Sequence, residues 1–265
     1  MGEFDLLLFH RDFETSQTYL KAGVDGIIVD LETAGKAKRQ LGFDTEINDH
    51  TIADLHALRA NSDGYLLCRL SGADVTETEV SQVIQAGANE IIVPMLNSMF
   101  QAERICRLAE NICKVTLMVE TVEAMGIAEK LSKLPVARIY VGLNDLRIAR
   151  QTASIFSPLA DGTLERLRAA IKGPAFGFGG LTLPSKGAPL PAFHLYNEMA
   201  RLDANFTFLR RSFYRDVDQL APETALSNIK SHYAAARMRP SAQINENHSA
   251  MIAALSDLKM VGADA

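Results

Sequence analysis

Short apolar runs alternate with amphipathic stretches along most of this chain, and this alternation constrains the fold more than any other feature. The runs cover residues 4–9, 26–30, 65–69, 90–95, 115–120, 138–141, 176–181 and 206–210. Strands that alternate with helices pair in parallel, because each crossover needs a helix, and near-continuous Ile/Val/Leu runs are typical of strands covered on both faces. Eight strand–helix units close a barrel, so we predict an α/β fold, a (β/α)8 TIM barrel with extra C-terminal helices.

The predicted barrel occupies residues 1–220, and a helical extension follows over residues 221–265. A chain of 265 residues with 48% hydrophobic content is long enough for one large core of this kind. The extension contains two helical segments, 224–236 and 243–258, on either side of Arg239-Pro240. The second segment carries an apolar stripe that we expect to pack on the barrel or on a neighbouring subunit. A homo-oligomer is therefore predicted.

Composition narrows the class of protein. The net charge is −5 and the sequence pI is about 5.7, and no basic stripe with interleaved aromatic residues is present, so we expect no nucleic-acid partner. The same acidic balance argues against attachment to anionic membranes, and no apolar run approaches the roughly 20 residues of a membrane span. The start of the chain lacks the pattern of a signal peptide, and the three cysteines lack metal-ligand spacing. We expect a cytoplasmic protein with reduced cysteines.

Two acids follow neighbouring predicted strands. Glu120 closes the fifth run, and Asp145 comes just after the sixth. Because parallel strands end at the same mouth of a barrel, we expect the two carboxylates to lie side by side there. Hard divalent cations take oxygen ligands, so the pair predicts a metal site. The alternative is that each acid caps a following helix or complements its dipole.

Arg69 ends the third predicted strand, so its guanidinium is expected at the mouth. A planar fork of N–H donors suits a carboxylate or an oxyanion of a substrate, which makes Arg69 a candidate for substrate binding and catalysis. The alternative is an ion pair with Glu32 or Glu120.

A second group of arginines follows the eighth strand, and barrels often bind anions after strands seven and eight. Because side chains alternate along a strand, Arg210 and Arg211 cannot both point inward. We take Arg211 as the predicted substrate-binding residue. Surface pairing of these arginines with Asp216 or Asp218 is the alternative.

The link over residues 32–51 is long, charged and irregular, which is typical of an active-site loop at a strand end. His50 belongs to this link, and His10 follows the first strand directly. Either histidine can be a base, and a structural or exposed role is the alternative for both.

Five segments, read in order, resemble the aldolase/citrate lyase family, often called HpcH/HpaI. They are AGVDGIIVDLE (22–32), LLCRL (66–70), AGANEIIVPMLNS (86–98), LMVETVEAM (117–125) and VGLNDL (141–146). The resemblance covers roughly residues 20–150. After residue 150 only the alternation of strands and helices matches.

The resemblance implies a barrel that binds Mg²⁺, or a similar divalent ion such as Mn²⁺, through Glu120 and Asp145. It also implies that Arg69 contacts the oxygens of a keto acid or its enolate. Backbone amides around Leu143 and Asn144 would hold the carboxylate of the substrate. The implied activity is that of a carbon–carbon lyase or aldolase on a small anionic 2-oxo or hydroxy acid.

The chain departs from the family pattern at the position of the base. Pyruvate-class aldolases carry Asp-x-Glu-His after strand two, whereas this chain has Thr33 in place of the histidine. Glu32 is therefore the candidate for proton transfer, with His50 or a metal-bound water as alternatives. Two other functions stay open. One is a citrate-lyase-β-like lyase acting on a CoA or carrier thioester, for which Lys36, Lys38 and Arg39 are the basic cluster. The other is a non-catalytic metabolite-binding barrel.

Overall fold

The computed structural model describes residues 4–32 and 49–261. Eight parallel strands close a barrel in sequence order, which confirms the predicted fold. The strands are β1 (Asp5–Phe9), β2 (Gly26–Asp30), β3 (Leu66–Arg69), β4 (Glu90–Val93), β5 (Lys114–Val119), β6 (Arg138–Val141), β7 (Ala175–Leu181) and β8 (Phe206–Leu209). Each strand begins and ends within two residues of its predicted limits, because the apolar runs that define the strands are largely buried.

Helices cover the outside of the barrel. They are α1 (Phe13–Lys21), α2 (Ile52–Asn61), α3 (Glu77–Gln85), α4 (Met99–Ala109), α5 (Val122–Gly126), α6 (Ala128–Leu131), α7 (Leu143–Arg150), α8 (Ser157–Ala160), α9 (Thr163–Ala170), α10 (Ala192–Arg201), α11 (Phe213–Val217), α12 (Pro222–Arg237) and α13 (Ser241–Val261). None of the described helices is long and apolar enough to cross a membrane.

Two local predictions need correction. The amphipathic stretch over residues 124–134 predicts one helix, but the structure divides it into α5 and α6 at Ile127, next to Gly126, a residue of low helix propensity. The spacing of seven between Cys106 and Cys113 predicts that they share a helix face, but Cys113 lies beyond the end of α4. The chain leaves that helix through Asn111, whose φ of 59° lies in the left-handed region that asparagine tolerates.

The barrel interior is an apolar plug closed by aromatic rings. Its members are Leu7, Ile28, Leu67, Ile92, Met118, Tyr140, Phe206 and Phe208. The alternate strand residues face the helices and form the larger outer core. This plug separates the two ends of the barrel, so that polar residues at the carboxyl ends of the strands form a distinct mouth.

The C-terminal helices pack on the barrel of the same chain. α12 contacts α1 and α10, and Tyr233 on α12 stacks on Phe4 with ring centroids 3.7 Å apart. α13 also contacts α10 and buries Met251 and Leu255, two members of the predicted apolar stripe. The two predicted helical segments are present, and each is longer than predicted.

Candidate active site at the carboxyl end of the barrel

Glu120 follows β5 directly and is 1% exposed. Its Oε1 accepts a hydrogen bond of 2.8 Å from the backbone amide of Met95, which follows β4. Burial, together with the nearby charges of Asp145 and Glu32, raises the pKa of the Glu120 carboxyl to about 8, against the opposing influence of Arg69 and of the Met95 amide. The capping alternative does not hold for Glu120, because the hydroxyl of Thr121 caps α5.

Asp145 is the third residue of α7, a helix whose N-cap is Gly142 and which has no side-chain cap. The positive end of the helix dipole favours a negative charge at this place. Leu143 and Asn144, as the first two residues of α7, present backbone N–H groups without intrahelical acceptors. Such a helix start is suited to a carboxylate of a ligand. The structure thus brings the predicted metal pair beside the predicted carboxylate-binding amides.

Gly142 allows the carboxylate of Glu120 to approach the backbone that leads into α7. A Cβ added at Gly142 would collide with Oε2 of Glu120 and lie 3.0 Å from its Cβ. Sequence reasoning missed this role. The signal was the glycine between an apolar strand and Leu143, a place where a side chain is otherwise expected.

Arg69 lies at the mouth, as predicted, but its guanidinium is already held by acids of the chain. Nε and Nη2 donate to the two carboxylate oxygens of Asp30, each at 2.7 Å, and Nη1 lies 3.1 Å from Oε2 of Glu32. All three residues are buried. The predicted alternative of an ion pair with Glu32 is present, and Asp30, to which the sequence assigned no role, is the main partner. The ring of Phe9 covers the guanidinium at 5.0 Å from its centroid.

The two candidate histidines adjoin the ends of β1 and β2. Nδ1 of His50 accepts a hydrogen bond of 3.0 Å from the backbone amide of Asp30, so the neutral ring carries its proton on Nε2. In this arrangement Nδ1 is already an acceptor and Nε2 carries the proton, so His50 can donate a hydrogen bond but is not placed to take a proton. Nδ1 of His10 lies 3.0 Å from the hydroxyl of Tyr214, and its Nε2 is buried. Burial lowers the pKa of both imidazoles, which favours their neutral form.

At the end of β8 the structure places Arg210, rather than Arg211, on the inward face. Phe206 and Phe208 belong to the interior plug and Leu209 to the outer core, so alternation turns the next residue inward. Arg211 is exposed. The substrate-binding role of Arg211 stays a prediction, without the inward position that motivated it.

The described residues bring four carboxylates together at the mouth near Arg69, those of Asp30, Glu32, Glu120 and Asp145. Carboxylate oxygens are the ligands that hard divalent cations take, so Glu120 and Asp145 are suited to hold one. Thr33 and the cluster of Lys36, Lys38 and Arg39 lie outside the described residues.

Another group of potential metal ligands lies away from the mouth. Glu165, Glu198 and His248 come together between α9, α10 and α13. The guanidinium of Arg201 bonds to both glutamates and supplies the positive charge that a metal would bring. We therefore interpret this group as an ion-pair cluster that fastens α13 to the barrel.

No family model and no curated protein matches the sequence. Solved structures do match. An HpcH/HpaI aldolase/citrate lyase family protein from Burkholderia cenocepacia is 15% identical, with a TM-score of 0.58 over 78% of this chain and 88% of that chain. This chain shares the fold of that family. Citrate synthase SbnG is 16% identical, with a TM-score of 0.62 over 87% of this chain and 95% of that chain.

A third similar structure is the citrate lyase beta subunit from M. tuberculosis, solved as a complex with oxaloacetate and magnesium. It is 16% identical, with a TM-score of 0.56 over 87% of this chain and 97% of that chain. At these identities the likeness extends to the fold, and the resemblance found in the sequence is confirmed at that level.

Proposed function

We propose that this protein is a metal-dependent carbon–carbon lyase or aldolase that acts on a small anionic 2-oxo or hydroxy acid. The observation that carries the proposal is the buried carboxylate of Glu120, held beside Asp145 and beside the amino end of α7. A carboxyl with a pKa raised by burial and by neighbouring acids is typical of a functional site. The solved structure of similar fold that contains oxaloacetate and magnesium supports the substrate class.

Glu120 and Asp145 would hold Mg²⁺ or Mn²⁺, because one or two carboxylates with water are the usual protein ligands of such ions. The bound ion would act as a Lewis acid that polarises the substrate oxygens and stabilises the negative charge of an enolate. The donor set of the site fits this role, since it consists of carboxylate oxygens, the ligands that hard divalent cations take.

The residues of the chain then have separate tasks. The backbone amides of Leu143 and Asn144 orient the substrate carboxylate through the start of α7. Arg69 supplies positive charge near the developing oxyanion, and Asp30 keeps its guanidinium in one orientation. Glu32, within 3.1 Å of Arg69, is the candidate to take the proton of the substrate hydroxyl in the direction of cleavage.

One observation favours a second candidate, a non-catalytic metabolite-binding barrel. Two nitrogens of the Arg69 guanidinium already donate to Asp30, and the third lies beside Glu32. These contacts weaken Arg69 as a ligand for an oxyanion of the substrate. Turnover separates the candidates. A lyase with this site is expected to decarboxylate oxaloacetate faster than the free metal ion does, whereas a binding protein is not.

The site itself is tested by calorimetry with Mg²⁺ and Mn²⁺, with and without oxalate as a stable mimic of an enolate. We expect metal-dependent oxalate binding by the wild type and its loss in Glu120→Gln. Glu129→Gln, which removes an equal charge from an exposed residue of α6, is the matched control and is expected to bind as the wild type does. Equal binding by Glu120→Gln and the wild type would refute the proposed metal site.

The expected partner is thus a small anionic acid, and neither nucleic acid nor a membrane surface. A homo-oligomer remains our prediction for the assembly, and light scattering of the purified protein tests it. The CoA or carrier thioester alternative depends on Lys36, Lys38 and Arg39, and competition between CoA and oxalate tests that alternative.

A further inference from the structure

Arg210 lies at the end of β8 on the same face as the interior plug. Its backbone amide donates to the carbonyl of Leu181 at 2.8 Å, so the β7–β8 ladder continues past the last residue of β8. A Cβ added at Gly180 on β7 would lie 3.1 Å from Cβ of Arg210, which places the two residues side by side. Because Gly180 has no side chain, Arg210 can lie close to β7 at the rim of the mouth.

The guanidinium of Arg210 is oriented but has no counter-ion among the described residues. Nη2 donates to the carbonyl of Ala188 at 3.2 Å, and Nη1 is buried without a hydrogen-bond partner in the described part of the chain. Asp216, whose charge raises the pKa of Arg210, accepts hydrogen bonds of 2.7 Å from Thr182 and from Ser212. Burial lowers the pKa of the Arg210 guanidinium, in keeping with a cation that lacks a close anion.

The two arginines of the mouth therefore differ in what they can bind. The guanidinium of Arg69 contacts the carboxylates of Asp30 and Glu32. The guanidinium of Arg210 donates to the backbone carbonyl of Ala188, which is neutral. A buried N–H donor that lacks an acceptor is costly, and an anionic ligand is the acceptor that best matches a guanidinium.

We propose that Arg210 binds a second anionic group of the substrate at the ends of β7 and β8. The preferred ligands are then acids with two anionic ends, in which one end meets Glu120, Asp145 and the start of α7, and the other meets Arg210. This inference rests on the proposed function, because that function places the first end of the substrate. It transfers to Arg210 the role that the sequence suggested for Arg211.

The test uses two acids that differ only at the far end. Malate carries a carboxylate where 2-hydroxybutyrate carries a methyl group, and both are stable in the presence of metal ions. Dissociation constants are measured by calorimetry with Mg²⁺ for the wild type, Arg210→Gln, Arg210→Lys, Arg211→Gln and Arg215→Gln. Arg215 is an exposed neighbour and is the matched control for loss of charge.

We expect the wild type to prefer malate by about 10- to 100-fold, the range of one charge-assisted pair. Arg210→Gln is expected to abolish this preference while its affinity for oxalate stays that of the wild type. Arg210→Lys is expected to retain part of the preference, and it also covers the case in which Arg210→Gln fails to fold. Arg211→Gln and Arg215→Gln are expected to behave as the wild type does. A preference that survives in Arg210→Gln, or that disappears in Arg211→Gln, would overturn the proposal.

Oxalate separates this proposal from the proposed function. If the wild type binds oxalate but shows no preference for malate, the metal site stands and the role of Arg210 is wrong. If oxalate does not bind at all, the proposed function fails, and succinate without metal then tests Arg210 alone. Succinate binding that is lost in Arg210→Gln would support an anion site independent of the metal, and no binding by the wild type would overturn it.

Discussion

The two ends of the barrel each bury a glutamate, and the two glutamates have opposite surroundings. Glu90 begins β4 and is fully buried, and Glu120 follows β5 and is 1% exposed. Glu90 accepts hydrogen bonds from the hydroxyls of Tyr65 and Thr116 and forms an ion pair with Arg138. Glu120 accepts one hydrogen bond from the described residues, that of the Met95 amide, and has two acids nearby.

The difference separates a buried charge that is satisfied within the fold from one that is suited to a ligand. At the amino end every oxygen of the glutamate has a donor, and Arg138 also reaches Asp5 at 2.6 Å, so the network is complete. At the carboxyl end, the described residues around Glu120 include the acids Asp145 and Glu32, whose charges raise its pKa, and Arg69, which lowers it. The hydrogen-bonded network of Glu90 fixes the bottom of the barrel, whereas a group of neighbouring acids is suited to an added cation.

The comparison predicts opposite effects of the same substitution at the two ends. Glu90→Gln leaves Arg138 without its buried partner and is expected to lower the free energy of unfolding by about 3–5 kcal/mol. Burial disfavours the ionised form of Glu120. Because Glu120→Gln removes that charge, it is expected to raise the stability of the metal-free protein at pH 8. Denaturant unfolding of both variants measures this, and a loss of stability in both would show that the two sites do not differ in the proposed way.

The carboxyl of Glu120 also predicts how stability depends on pH. Its pKa in the folded protein, about 8, lies above the unfolded value of 4.5, so the folded state retains a proton that the unfolded state has released. The contribution of this group is therefore present at low pH and is lost as the pH rises from 4.5 towards 8, with a slope of at most about 1.4 kcal/mol per pH unit.

Unfolding of metal-free protein between pH 5 and 9 tests this sign, with Glu120→Gln as the variant expected to lose that slope. Because a metal ion competes with the proton, metal affinity is expected to increase with pH up to about 8 and then to level off. A wild-type profile that matches the variant at every pH would contradict the assignment.

Much of the fold could be predicted from the sequence, because buried parallel strands have continuous apolar runs whose limits are visible in one dimension. The positions of Glu120, Asp145 and Arg69 at the mouth follow from the same strand ends. The partners of these residues could not be predicted. Asp30 was visible at the end of a strand, but its bidentate contact with Arg69 depends on the register between β2 and β3.

The end of β8 shows a second limit of sequence reasoning. Alternation indicated that one of two adjacent arginines points inward, but which one depends on the pairing of β8 with β1, in which Phe208 lies beside the inward-facing Leu7. The inward packing of Phe206 and Phe208 is what places Arg210, rather than Arg211, on the inner face of β8.

The smallest expected effect concerns the approach of Glu120 to Gly142. A methyl group at Gly142 would push the carboxylate away from the start of α7, because the added Cβ collides with Oε2. We expect Gly142→Ala to weaken metal-dependent oxalate binding by about tenfold and to lower stability by about 1–2 kcal/mol, the range of overpacking at a buried position. Gly126→Ala is the matched control, because a Cβ at Gly126 meets no atom within 4 Å. Calorimetry and thermal unfolding of both variants measure the difference. If Gly142→Ala binds metal and oxalate as Gly126→Ala does, the position of the Glu120 carboxylate against α7 is not what selects the ligand, and the contrast between the two ends of the barrel would then rest on charge alone.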